Sequence, residues 1–157
     1  AKFILGDIRK LPLKENNFDY ILSLGAIEHL RNPASALGEF HRVLKPGGKV
    51  LITVPNIYCS HTITRPILKL LGRWELGREG SYSPKALKNL LESCGFNVKK
   101  YGIMPGGEIF GAAPKYIPLM GDEIYSVSTK VSLFIEKRQN TFGFYSYTIG
   151  EKRVDLK

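Results

Sequence analysis

Glu28 and His29 are the residues of this 157-residue chain best placed to move a proton. They follow closely on a short apolar run, residues 18–24, with the length and composition of a β-strand buried on both faces. A carboxylate beside an imidazole at the C-terminal end of such a strand can wall a substrate pocket, and the imidazole can accept a proton. The same pair also fits a helix start that hydrogen-bonds neighbouring backbone, and the sequence leaves both readings open. His61 and Tyr58, in an irregular stretch further on, are two more groups able to serve proton transfer. His41 falls within a helical pattern beside Phe40 and Arg42 and reads as a partly exposed helix residue. The three histidines are too scattered to form a metal site, and Cys59 and Cys94 lack metal or redox spacing. No HExxH, CxxC, GxSxG or Walker pattern occurs.

These groups hang on a strand–helix–strand unit, residues 18–56. Asn32 stands where an N-cap belongs, with Pro33 at the first helical position. Ala36, Phe40, Val43 and Leu44 share one helical face, and Gly47-Gly48 predicts the helix stop, where a positive φ is needed. Residues 49–54 read as the next buried strand, and a right-handed crossover makes the two strands parallel. Ahead of this unit, residues 2–5 read as a strand ending at Gly6-Asp7, which puts a carboxylate on the rim where open α/β sheets bind ligands. Residues 8–17 form a loop containing Pro12 and the turn pair Asn16-Asn17.

After the unit, residues 57–80 break the α/β rhythm. Ile67, Leu70, Leu71 and Trp74 lie at helical spacing, with Lys69 and Arg73 on the other side. Such a basic amphipathic helix can lie on a membrane, cover a pocket or be an ordinary surface helix, and its place after a strand end suits a lid or substrate wall. Ser83-Pro84 opens another helix, with Leu87, Leu90, Leu91 and Cys94 on one face and Gly95 at its end. Residues 96–104 read as a strand broken by Pro105-Gly106-Gly107, and residues 108–119 as irregular. Ile124, Val127, Val131 and Phe134 fit a helix to Arg138, against a competing strand over 131–135, and residues 142–149 alternate as a final strand. No repeat or low-complexity tract divides the chain, so residues 1–157 are expected to form one domain with 57–80 as an insertion.

Composition sets outer bounds. With 43% hydrophobic residues the chain can bury a real core. Its two cysteines, without spacing for a bridge or a metal, suggest reduced thiols and a cytoplasmic location. No apolar stretch approaches the roughly 20 residues needed to cross a bilayer. Ala1 leads straight into a strand-like segment, as in a chain that begins inside a longer reading frame or follows processing. The net charge of +9 is spread from Lys2 to Lys157 without a block of five like charges. That pattern fits a solvated basic surface or weak steering of an anionic ligand, with no specific nucleic-acid site and at most peripheral membrane contact.

The segments GDIRKLPLKENNFDYILSLGAIEHL and RVLKPGGKVLITVPN, in this order and spacing, resemble the class I S-adenosylmethionine-dependent methyltransferases. The likeness is closest to the small-molecule group that includes the ubiquinone-type O-methyltransferases, and SPKALKNLLESCGFNV resembles that family's helix and strand near the end of the sheet. The resemblance implies an α/β, Rossmann-like sheet, mostly parallel with an antiparallel final strand, in the order 3-2-1-4-5-7-6. It implies S-adenosylmethionine as cofactor and a small-molecule or lipid-like acceptor. Asp7 looks like the acid that accepts the adenine amino group, the backbone of Ile8 would meet the adenine edge, and Leu24 and Gly25 resemble positions touching the methionine part. Asp19 reads as a strand-start residue that fixes the adjoining loop. Some relatives bind a metal through Glu-x-x-Glu-His; here Gly25 holds the first of those positions, so no metal is expected.

The family's first strand carries a glycine-rich loop and its second ends in an acid for the ribose. In this chain no two glycines are separated by a single residue, so the sheet is expected to lack its first two strands. Three explanations remain open: a fragment of a longer enzyme, a truncated cofactor-free module that binds protein, RNA or anionic membrane, or a chain completed by a homodimer partner or a complementing chain. An enzyme is expected wherever that N-terminal part is present. His29, His61 and Tyr58 are the candidate catalytic residues.

Overall fold

β2, residues Leu44–Pro55, is the strand on which the fold is built. The computed structural model describes residues 2–59, 65–66, 69–72, 77–104 and 143–154. The other described elements are β1 (Phe18–Leu24), a single 3-10 turn (Ile27–His29), α1 (Pro33–Val43), α2 (Pro84–Ser93), β3 (Phe96–Met104) and β4 (Tyr145–Lys152). They form a four-stranded sheet in the order β1-β2-β4-β3. β1 and β2 are parallel, while β4 runs antiparallel to both of its neighbours. The fold is therefore α/β with a mixed sheet and the expected antiparallel last strand. That strand starts at Tyr145, three residues later than the alternation suggested. The expected features over 105–107, 108–119 and 124–138 lie outside the described residues, as do Ile67, Trp74 and Arg73 of the predicted 67–74 helix; residues 65–66 and 69–70 are helical.

Both helix starts lie where the capping residues placed them. Ser83 Oγ accepts from the Ala86 N–H at 3.2 Å. Asn32 has extended backbone before Pro33 but makes no side-chain cap bond, so at α1 the fixed φ of proline sets the start. The end of α1 departs from expectation. The helix stops at Val43, and the lysine–proline–glycine segment lies inside β2 rather than closing a helix. Phe18 pairs with Leu44 and Tyr20 with Lys49, so residues 45–48 loop out of the ladder as a wide bulge. Gly47 takes φ +75°, and a Cβ on Gly48 would lie 2.8 Å from the Lys45 carbonyl oxygen. Lys45 Nζ donates to Asp19 Oδ1 at 2.9 Å, which ties this bulge to the start of β1.

The core lies on one face of the sheet. Val50, Ile52 and Val54 of β2 pack against Ala36, Leu37 and Phe40 of α1, Leu87 and Leu91 of α2, and Phe96. Gly150 faces the same layer, where a Cβ would come within 3.2 Å of Leu91 and Phe96. The opposite face of β1 is open. Tyr20, Leu22 and Leu24 are 71%, 69% and 63% exposed, so β1 is not covered on both faces as its composition suggested. Its apolar residues alternate with Ile21 and Ser23, which turn inward, and β1 is the edge of the described sheet. The expected strand over residues 2–5 also fails to form. Phe3 and Leu5 are fully exposed, and no described strand offers that segment a ladder for its N–H and C=O groups.

The bulge yields a paired prediction. Gly48→Ala is expected to destabilise the chain by about 1–3 kcal/mol, because the new methyl meets fixed backbone. Gly38→Ala, on the exposed side of α1 with nothing within 4 Å of the added carbon, is expected to stabilise it by about 0.4–1 kcal/mol. Urea titrations of the two variants should move their midpoints in opposite directions.

Candidate functional site at the sheet rim

β1 and β2 end side by side, and Gly25, Glu28, His29, Asn56 and Tyr145 gather at that end. Gly25 leaves β1 with φ +65°, and its N–H donates to the Thr53 carbonyl at 3.1 Å. The 3-10 turn that follows buries Ile27 and Glu28 and leaves His29 exposed. β2 ends in Pro55 and the fully buried Asn56, whose side chain donates to the Gly143 carbonyl at 3.1 Å and accepts from the Tyr58 N–H at 3.2 Å. β4 begins opposite Pro55, which brings Tyr145 to the same rim.

A returning segment, residues 78–82, closes over this end. The Gly80 N–H donates to the Glu28 carbonyl at 2.8 Å, and the Tyr82 N–H to the Pro55 carbonyl at 2.9 Å. Ser146 Oγ donates to the Tyr82 carbonyl at 2.7 Å. His29 Nδ1 lies 2.8 Å from the Arg78 carbonyl oxygen, which fixes Nδ1 as the protonated nitrogen and leaves the lone pair on Nε2. Arg65 reaches in from the irregular 57–80 stretch, donating to the Glu79 carbonyl at 2.6 Å with the Glu79 carboxylate at 3.8 Å. The 57–80 stretch is thus tied to the rim through its described residues.

Glu28 is the electrostatic centre of this arrangement. The residue is 3% exposed, and its Oε2 has no hydrogen-bond partner among the described residues. Burial pushes its carboxyl above the usual glutamate range, and the Glu79 carboxylate adds to that, against the opposing pull of its own backbone N–H and His29. Burial likewise raises the Tyr82 and Tyr145 phenols, with the Glu28 charge contributing to both, so these rings stay neutral over the ordinary pH range.

Of the residues anticipated from sequence, Gly25 and His29 meet at this rim with Leu24, which is 63% exposed. Tyr58 is adjacent in chain and 64% exposed, held by its backbone rather than its ring. His61 lies outside the described residues. Asp7 is elsewhere in the contact network: its carboxylate forms a fork with Arg9, at 2.7 to 3.1 Å, which holds its pKa down to about 2. Ile8 packs partly buried against the core. Sequence reasoning did not find Glu79, Tyr82, Asn56 or Tyr145. Tyr145 was legible in principle, since the first residue of an antiparallel last strand must start at this end. The others depend on how an irregular segment folds back, for which no periodicity exists.

Two concavities lie away from the rim. One, of about 180 Å³, is lined by the 45–49 bulge with Asp19 and Tyr20, at the opposite end of β1. The other, of about 420 Å³, sits beneath residues 10–14 against Glu39 and Arg42. There Arg42 donates to the Leu11 and Leu13 carbonyls and to Glu39, a set that anchors a loop. Among the described residues no cluster of three or more His, Cys, Asp or Glu could hold a metal ion.

A methyltransferase domain family model matches residues 1–52. The demethylmenaquinone methyltransferase of Protochlamydia amoebophila is 28% identical over 124 residues, covering 67% of this chain and 51% of that protein. The ubiquinone/menaquinone biosynthesis C-methyltransferase UbiE of Blochmanniella pennsylvanica is 32% identical over 123 residues, covering 67% of this chain and 48% of that protein. Among solved structures, an S-adenosylmethionine-dependent methyltransferase from Methanosarcina mazei superposes with a TM-score of 0.64 at 15% identity, covering 99% of this chain and 68% of that one. The chain spans about half the length of these two curated relatives.

The raised Glu28 pKa fixes the sign of a pH effect. A carboxyl whose folded-state pKa lies above its unfolded value contributes stability below the unfolded pKa and loses it as pH rises through the folded one. Glu28→Gln should therefore flatten the fall in stability above the ordinary glutamate range and leave acid stability nearly unchanged. Urea midpoints of both proteins across pH 4 to 8 measure this, and parallel curves would show that Glu28 carries no such burden.

Proposed function

We propose that this chain, which belongs to the class I S-adenosylmethionine-dependent methyltransferases, forms the acceptor side of a methyl-transfer site for a small-molecule or lipid-like acceptor. The observation that carries the reading is the Gly25–Glu28–His29 rim, a buried carboxyl and an oriented imidazole at the end of two parallel strands. The residues present fit the cofactor. Gly25, with φ +65°, leaves open a space that a Cβ would occupy 3.3 Å from Glu28 Oε1, suited to close backbone approach. Asp7 is held ionised by Arg9, whose backbone N–H and guanidinium donate to its two oxygens, and its side chain is about half exposed. On this reading Asp7 and Ile8 would hold the adenine, and Leu24 and Gly25 the methionine end.

The bound cofactor supplies an activated methyl on sulfonium. The chain's task is then to orient the acceptor, exclude water and receive a proton where the acceptor must lose one. His29 suits that last role. Its Nδ1–H is spent on the Arg78 carbonyl, so Nε2 presents a lone pair at an exposed position from which a proton passes to solvent. His61 and Tyr58 stand behind it as candidates.

The glycine-rich loop and ribose acid of the family, and the two strands that carry them, are proposed to come from polypeptide beyond this sequence. The open edge and apolar outer face of β1 support that placement. The same face favours a second reading, in which a cofactor-free chain uses Tyr20, Leu22 and Leu24 to bind a protein partner.

Calorimetry with S-adenosylmethionine separates these readings. Micromolar binding by this chain, alone or after a homodimer or complementing chain forms, is expected for the enzyme; no binding in either state removes it. In the active assembly, His29→Gln should lower turnover by about a hundredfold. Unchanged turnover would take His29 out of the proton path.

A further inference from the structure

We propose, resting on the reading that this rim receives a methyl acceptor, that Glu28 Oε2 accepts a hydrogen bond from an O–H or N–H group of that acceptor. The molecule methylated here then carries a hydroxyl or an amine within reach of the reacting centre. Glu28 is 97% buried, taken from its 3% exposure, yet Oε2 has no hydrogen-bond partner among the described residues. Native folds leave few buried polar atoms unpaired, and a carboxylate oxygen is among the most destabilising to leave so. The hydroxyls of Ser23 and Thr148 also lack a partner, but they are neutral groups within the strands, and Glu79 Oε2 has Arg65 at 3.8 Å, whereas Glu28 is a carboxyl at the rim beneath residues 78–82.

The surroundings narrow what can fill the gap. Glu28 Oε1 is tucked against Gly25, 3.3 Å from the position a Cβ would take. From the returning segment, Glu79 is engaged by Arg65, and Arg78 is exposed and influences the Tyr82 ring. Tyr82 and, from β4, Tyr145 bring phenols that stay neutral. His29, on the same turn, has its Nδ1 committed to Arg78. No described cluster of three or more metal-binding side chains adds a cation site. A ligand donor is the group this oxygen lacks.

The test is an NMR titration of the 157-residue chain with four small ring probes: phenol, benzylamine, anisole and toluene. Phenol or benzylamine should shift the Gly25 and Gly80 amides saturably, while anisole and toluene, which have no donor, should not. Whichever donor binds identifies oxygen or nitrogen as the recognised atom. The Glu28 carboxyl carbon should titrate at lower pH in its presence, because a donor favours the ionised form. Glu28→Gln should weaken that probe by about tenfold or more. Equal binding of toluene, preference for anisole, or undiminished binding by the Gln variant would each overturn the proposal. If the variant does not fold, the carboxyl titration of the unaltered chain decides alone: a midpoint unmoved by phenol and benzylamine sinks the idea. S-adenosylmethionine binding measured in parallel keeps the two readings apart. Donor binding with no cofactor binding by the chain, either alone or in its completed assembly, removes the methyltransferase reading, and cofactor binding without donor recognition removes only this one.

Discussion

The ladder on both sides of β2 is the constraint on which the rest depends. One neighbour runs parallel and the other antiparallel, so the end of β1, the end of β2 and the start of β4 fall on one line. Gly25, Asn56 and Tyr145 are set beside one another by that register. The segment carrying Arg78 to Tyr82 is then fastened across the line by backbone hydrogen bonds to Glu28 and Pro55. The backbone bonds hold the segment in place whatever stands at position 28, while the imidazole is oriented by its own bond to the Arg78 carbonyl.

Register in turn depends on the bulge. Had residues 45–48 continued α1 or paired regularly with β1, Lys49 would not face Tyr20 and the strand ends would no longer coincide. Gly47 supplies the left-handed backbone and Gly48 the space beside the Lys45 carbonyl. The lysine–proline–glycine motif is thus a spacer that sets the distance from the helix to the rim. It stands at the opposite end of β1 from the chemistry it helps to place.

Much of this was legible in the sequence, and the failures have physical causes. The pattern of Leu87, Leu90 and Leu91 behind a Ser-Pro cap gave α2, and the span of β3 agrees with the structure. Gly47-Gly48 was misread because a glycine pair after an amphipathic run signals a helix stop and a strand bulge equally well. Composition predicts a doubly covered β1 because it reports apolarity and not what lies opposite each face. Residues 2–5 have strand composition but no partner among the described strands, and strand identity belongs to the pair rather than to the segment. At the site, His29 is legible from its place after a strand, whereas Gly25 is legible only through the family resemblance. Glu28 was noticed for its chemistry, but its burial arises from residues 78–82, whose path no local rule predicts.

The open edge of β1 bears on how the chain behaves in a crowded solution. A seven-residue strand with no outer ladder partner among the described residues and an apolar outer face is a template for any extended segment that meets it. Around that edge the chain carries Asp19 and Lys49, and over its whole length an excess of nine positive charges. Like-charge repulsion between copies opposes edge-to-edge growth while leaving a segment of opposite or neutral charge free to approach. The basic character of the molecule, unremarkable as a marker of nucleic-acid binding, thus acts as a colloidal guard on a surface that the fold leaves adhesive, and salt that screens it weakens that guard.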